Sequence, residues 1–259
     1  MNKDNKMSNM KEDGFSAVFE QAAGQKKLPF NSFRSDPAYA FVCPVGDHIT
    51  TPEIEAITLG IEIDRDLFSS YLQIPKPDLG YEGKKYVALD TIDCRHMMMS
   101  TIAFSGIEDE IKNVVEIGGG YGNWAYLNLK TSKYLHAWTI IDLPFVLDLQ
   151  EWFLFNTNLD CQLLETLSFV EPGEAVNNKP DLIIGAHSLS ELAWEDFISY
   201  SNLMLSTKYM FYAFHIYWPH PELIARKEAF LLEHFDIIKN VTHLGGTAKN
   251  YLLQRKALK

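Results

Sequence analysis

The stretch Val114-Val115-Glu116-Ile117-Gly118-Gly119-Gly120-Tyr121-Gly122 constrains the fold more than any other part of the chain. Asn113–Ile117 reads as a short apolar strand and Trp124–Leu129 as helix, so the glycines form a strand-to-helix turn. Glycine there lets the backbone turn sharply and approach a ligand with no Cβ in the way. In open α/β sheets such turns line the crevice beyond the carboxyl ends of the strands, where the topology reverses. The spacing narrows the ligand. A dinucleotide fingerprint needs G-x-G-x-x-G, but counting from Gly118 the last place is Asn123. A phosphate loop needs Gly-Lys-Ser/Thr, and this turn contains no lysine.

Strand and helix alternate from here to the C-terminus. Trp138–Ile141, Cys161–Leu164, Asp181–Ile184 and Tyr209–Phe214 read as strands; Pro144–Phe155, Ser190–Met204 and Pro221–His234 read as helices. That alternation implies βαβ units and a mostly parallel sheet. Phe235–Leu244 and Asn250–Gln254 are joined by Gly245-Gly246, too short a link for a crossover, so they pair antiparallel. The expected fold is α/β: a Rossmann-like, doubly wound, mostly parallel sheet with an antiparallel C-terminal hairpin strand and a helical N-terminal extension. Residues 1–25 are polar and read as a mobile tail. Residues 26–106 form the extension or lid, with helices from Thr51 and over Asp90–Phe104. Residues 107–259 form the α/β domain.

The second strand ends Ile140-Ile141-Asp142, placing a carboxylate where it can accept both hydroxyls of a ribose. Asp142 also reads as an N-cap before Pro144. Glu116 reads either as a structural acid bonding nearby backbone or as a ligand contact. The pattern Glu116-x-Gly118-x-Gly120-x-Gly122 closely resembles the first motif of class I S-adenosylmethionine-dependent methyltransferases. The resemblance implies S-adenosyl-L-methionine as cofactor, held by Glu116, Gly118, Gly119, Gly120, Tyr121, Gly122, Asp142 and Leu143. The glycines would lie against its methionine and ribose portions, and Tyr121 would cover it or touch substrate. Ile140-Ile141-Asp142-Leu143-Pro144 and Asp181 to Leu192 further resemble a sugar O-methyltransferase family of bacterial gene clusters. That narrower likeness covers about residues 110–205 and implies O-methylation of a sugar hydroxyl. Members of that family often carry Asn-Tyr-Ala-Phe-Ser-Glu-Leu where this chain has Ala186 to Leu192. An amine or peptide acceptor, or a non-catalytic cofactor-binding module, are the alternatives.

A sugar hydroxyl is a poor nucleophile, so a base is expected beside the ends of the fourth and fifth strands. His187 follows the fourth strand and His215 the fifth. Glu191 is a third catalytic candidate, although Ser188-Leu-Ser-Glu191 also fits a capping box, with Ser188 as the cap. Tyr217 and Trp218 can stack on a sugar face or pack a lid. Arg95, on the helix ahead of the first strand, reads as an ion-pair partner or as a contact for a carboxylate. The Met97-Met98-Met99 run reads as adaptable core. No compact set of acids and histidines calls for a metal.

Composition sets the partners. With 23 Lys plus Arg against 34 Asp plus Glu, the formal charge is −11, and no basic cluster interrupts it. Nucleic acid is therefore not the expected partner. Three dispersed cysteines without a CxxC pair fit a reducing cytoplasm. No apolar run approaches the ~20 residues of a membrane span, and the charged N-terminus lacks the apolar core of a signal peptide. The expected partner is a small molecule or glycan, with the N-terminal extension available for homo-oligomer contacts.

Overall fold

The computed structural model describes residues 91–157, 159–216, 220–243 and 248–257 of the 259-residue chain. The expected tail, the helix from Thr51, Tyr217, Trp218 and the Gly245-Gly246 link lie outside the described residues, as does the side chain of Arg95.

Helix α1 (Thr91–Phe104) leads into β1 (Asn113–Ile117), α2 (Asn123–Thr131), β2 (Ala137–Ile141) and α3 (Pro144–Phe155). A single turn, α4 (Cys161–Leu164), precedes β3 (Leu167–Val170) and β4 (Leu182–Ala186). Three short helices follow, α5 (Ser188–Glu191), α6 (Trp194–Ser199) and α7 (Ser201–Met204). The chain then runs through β5 (Tyr209–His215), α8 (Pro221–His234), β6 (Phe235–His243) and β7 (Ala248–Arg255).

The seven strands lie in the order β3-β2-β1-β4-β5-β7-β6. Pairings from β3 through β5 are parallel, whereas β7 is antiparallel to both β5 and β6. This is the expected doubly wound sheet with its reversed C-terminal hairpin. The direction of winding changes between β1 and β4, so the crevice opens above that pair.

Alternation along each strand divides the core in two. Val114, Ile140, Ile184 and Phe211 face one layer with α1, α2 and α3; Val115, Ile141, Ile183 and Tyr212 face the other with α5 to α8. Met97, Met98 and Met99 are buried in the first layer, as adaptable core side chains should be.

Two elements differ from the sequence reading. Cys161–Leu164 is a helical turn, closed by Leu163 and Leu164 N–H groups on the Asp160 carbonyl, and the strand comes later at Leu167–Val170. This edge strand has no fully buried residue, so its apolar contrast is weak. The continuous helix expected over Ser190–Met204 is three short ones. Leu192 and Ala193 are extended, and Ser190 and Ser199 hydroxyls donate to carbonyls three residues back, at 2.5 Å and 2.6 Å. Such local bonds compete with helix continuation.

The outermost strand β6 carries a bulge between Ile237 and Lys239, where Ile237 and Ile238 are both exposed. Lys239 Nζ reaches across to Ser105 Oγ at 2.7 Å, tying that edge to the end of α1. Among the described residues no helix is long and apolar enough to cross a membrane.

At the amino ends of the central strands, Asp181 clips the sheet together. Its Oδ2 accepts the N–H groups of Lys112 and Asn113 at 3.0 Å and 2.9 Å. Asp181→Ala is expected to lower stability by about 1–3 kcal/mol through two orphaned donors, as measured by urea unfolding.

Candidate functional site

The turn after β1 is built by extension of the sheet. Gly118 N–H donates to Ile141 O at 2.9 Å, carrying the β1–β2 ladder one residue past the strand. Gly118 then adopts φ +76°, where a side chain is strained. A Cβ there would also lie 2.2 Å from Ser188 Cβ. The close approach is held by Ser188, whose hydroxyl donates to Ile117 O. The loops after β1 and β4 are thereby stapled across the switch point. Ser188 consequently does not cap α5: His187 occupies the N-cap place and no side-chain cap bond forms.

Asp142 faces the turn from the end of β2. Its Oδ2 accepts Gly119 N–H at 3.0 Å and Gln150 Nε2 at 2.8 Å, and its Oδ1 accepts Leu143 N–H at 2.9 Å. Leu143 is the N-cap residue of α3, so Asp142 does not take the capping role that Pro144 suggested. Burial pushes the Asp142 carboxyl up to about 6, against the pull of its three donors. It is mainly ionised at neutral pH.

Glu116 lies beneath the turn and is buried. Its Oε2 accepts the Trp138 indole N–H at 2.9 Å, which is a structural contact to a side chain rather than to backbone. Burial pushes its carboxyl up to about 8; the Trp138 bond opposes this and the Asp142 charge adds to it. Glu116 is thus a neutral carboxylic acid at pH 7. Tyr121, expected over the ligand, is only 2% exposed and packs edge-on against Phe153 at 4.9 Å between ring centres. Leu143 is 47% exposed at the rim beside Asp142.

The carboxyl ends of β4 and β5 bring His187 and His215 together. Their rings stack with centroids 4.4 Å apart and planes 21° from parallel. The pairing continues the strand register: Ala186 lies opposite Ala213, and His187 N–H donates to Ala213 O at 2.9 Å. His187 holds φ +65°, the one positive φ outside glycine among the described residues. A conformation of that kind costs on the order of 1–3 kcal/mol, and the fold imposes it where the imidazole turns out of the strand. Glu191 is exposed at the far end of α5, and its charge acts on Lys227.

Two residues here were not singled out from the sequence. Gln150, on α3, joins Asp142 to Gly120. Lys227, on α8, is buried and donates to the Ser190 carbonyl at 2.9 Å and to the Leu192 carbonyl. It satisfies the open end of α5 and so fixes the segment that carries His187. Burial pushes the Lys227 ammonium down to about 8, against the charges of Glu191 and Asp196. Spacing on the preceding acid or glycine gives no cue to either residue; both signals are a polar side chain on the inward face of an amphipathic helix.

The chain resembles the methyltransferase domain of bacterial CtHen1 in its CN form, with 12% identity and a TM-score of 0.51 over 62% of this chain and 97% of that one. The C form of the same domain gives 11% identity and a TM-score of 0.50 over 63% and 99%. The chain shares its α/β fold with that methyltransferase domain. A glycopeptide N-methyltransferase, MtfA, solved with S-adenosyl-L-methionine, is 12% identical with a TM-score of 0.49 over 63% of this chain and 86% of that one. No family model matches the sequence, and no curated protein matches it.

The two buried acids tie the stability of this fold to pH. Both Glu116 and Asp142 sit above their ordinary values, so the folded state binds their protons more tightly than the unfolded chain. Their stabilising contribution is present at low pH and is lost as pH rises through the folded values, about 6 for Asp142 and about 8 for Glu116. Glu116→Gln keeps an acceptor for Trp138 without the ionisation. Its melting temperature is expected to equal wild type below about pH 4, to exceed it increasingly between about pH 5 and 8, and to hold that lead above, as read by thermal scans across that range.

Proposed function

We propose that the chain is an S-adenosylmethionine-dependent methyltransferase that O-methylates a sugar hydroxyl, with His187 as general base. The observation that carries the cofactor reading is the glycine turn bonded to Asp142 at the switch point of the sheet. The residues suit that group. Gly118 and Gly120 hold backbone conformations that keep side chains out of the turn. Asp142 presents an ionised carboxylate whose Oδ1 accepts the Leu143 N–H among the described residues, leaving acceptor capacity for ribose hydroxyls. Leu143 offers an apolar rim beside it.

When bound, the cofactor supplies an electrophilic methyl group together with its own leaving group. The protein's share is alignment and proton removal. Imidazole titrates in the range such a base requires. His187 is assigned to take the hydroxyl proton on a ring nitrogen. His215 lies in a nearly parallel plane beside it, so the two rings form one stacked wall at the carboxyl ends of β4 and β5. Lys227 keeps that wall in place through the carbonyls of Ser190 and Leu192. The sugar acceptor rests on the likeness of the Asp142-Leu143-Pro144 and Ser190-Glu191-Leu192 phrases to sugar O-methyltransferases.

Calorimetry with S-adenosylmethionine and S-adenosylhomocysteine tests the first part. Wild-type protein is expected to bind both, and Asp142→Ala to lose at least about tenfold in affinity through a missing charge-assisted acceptor. Tight NAD binding with no response to either compound would overturn the reading.

The base is tested separately, with a glycan panel for turnover. His187→Ala is expected to retain cofactor affinity and to lose roughly 10²–10⁴ in turnover. Unchanged turnover removes His187 from that role. His187→Gly is expected to gain about 1 kcal/mol in stability by relieving the positive φ, while showing the same catalytic loss.

A further inference from the structure

Gln150 has no place in the motif that marks the site, yet it is fully buried at its centre. It sits two turns into α3, eight residues beyond Asp142. Its Nε2 carries two hydrogens and makes two bonds, to Asp142 Oδ2 at 2.8 Å and to Gly120 O at 2.9 Å. Gly119 N–H meets the same Oδ2 at 3.0 Å. One amide nitrogen therefore spans the acid and the glycine turn. The contact is close: a Cβ on Gly119 would lie 3.1 Å from Gln150 Nε2.

The orientation of the amide follows from chemistry. Reversing it would set Oε1 against a carbonyl and a carboxylate, three acceptors with no proton among them. In the observed orientation Oε1 is buried and accepts no hydrogen bond from the described residues. A buried acceptor in that state opposes folding. A residue selected by packing alone would be better as methionine, which has similar length and no such atom.

We propose that Gln150 is a positioning residue for the cofactor site, its side-chain amide holding the Asp142 carboxylate and the Gly120 carbonyl in one fixed relation so that both meet the ligand together. The proposal rests on the cofactor reading above and deepens it. Gln150 is not assigned contact with the ligand; it acts through Asp142 and the turn.

Gln150→Met tests this with two readouts. The first is calorimetric affinity for S-adenosylhomocysteine, expected to fall about tenfold or more while the melting temperature stays at or above that of wild type. The second is the titration of the Asp142 carboxyl carbon by NMR, on protein without added ligand, with the resonance assigned by its loss in Asp142→Asn. Glu116 on β1 and Tyr200 beyond α6 are the titratable groups whose charges interact with Asp142. Both are unchanged in the variant. Removing a donor from the ionised form should raise the Asp142 midpoint by roughly one pH unit.

A folded Gln150→Met protein with wild-type affinity and an unmoved midpoint overturns the proposal. So does a fall in melting temperature with an unmoved midpoint, which is what a packing role predicts. If wild-type protein binds no S-adenosylhomocysteine, it is the cofactor reading that falls, and the midpoint alone then decides whether Gln150 sets the acid. Should the methionine variant fail to fold, Gln150→Glu preserves the shape and replaces the donor with an acceptor. The midpoint should then rise further, and an unmoved one is equally fatal.

Discussion

One oxygen atom organises the carboxyl end of this sheet. Oδ2 of Asp142 takes a backbone N–H from the turn after β1 and a side-chain N–H from α3. Three separate pieces of chain converge on it: the end of the second strand, the glycines after the first, and the helix between β2 and α4. Asp142 is half-buried, so each donor matters more than it would at the open surface. The surrounding packing is arranged to the same end. Ile140 stands against Gly119, Ser188 against Gly118, and Leu154 against Gly122. Each glycine is thus a place where the turn has been drawn down onto its neighbours.

The sequence disclosed the scaffold better than the site. Strong β-branched runs such as Trp138 to Ile141 and the clear helix at Pro144 are local signals, and they determine elements by propensity and burial together. The placement of the consecutive Val114 and Val115 on opposite layers follows from strand alternation. At the candidate site, glycine spacing and the Asp142 position were legible because backbone geometry demands those residue types. The partners of those residues were not. Whether Glu116 meets a ligand or the Trp138 indole depends on a neighbouring strand, and pairing across strands has no mark in either segment alone. Gln150 and Lys227 illustrate the same gap. Each is a polar residue on a helix whose target lies in a different part of the chain, 30 residues from Gln150 and 37 from Lys227. The capping readings for Asp142 and Ser188 failed for a related reason. A short polar side chain next to a helix start bonds wherever the nearest donor or acceptor lies, and tertiary neighbours here were closer than the helix end.

Stability and chemistry pull in different directions around the crevice. Glu116, Lys227 and the Gln150 carbonyl are all buried polar groups, and His187 carries an unfavourable φ. A chain optimised for stability would replace most of them with apolar residues and a glycine. They cluster along the ends of β1, β2, β4 and β5, whereas the opposite ends of those strands are held by the well-satisfied Asp181 clip. Strain and buried polarity are concentrated where a ligand is expected to act.

The bulge on β6 bears on how copies of this protein behave toward one another. A regular outermost strand offers evenly spaced amide and carbonyl groups, a template onto which another chain can add a strand. Two consecutive exposed isoleucines would make that template adhesive. The extra residue between Ile237 and Lys239 disrupts the spacing, and Lys239 turns inward to Ser105. Among the described residues the sheet therefore finishes on a border whose donors and acceptors fall out of step with a regular added strand.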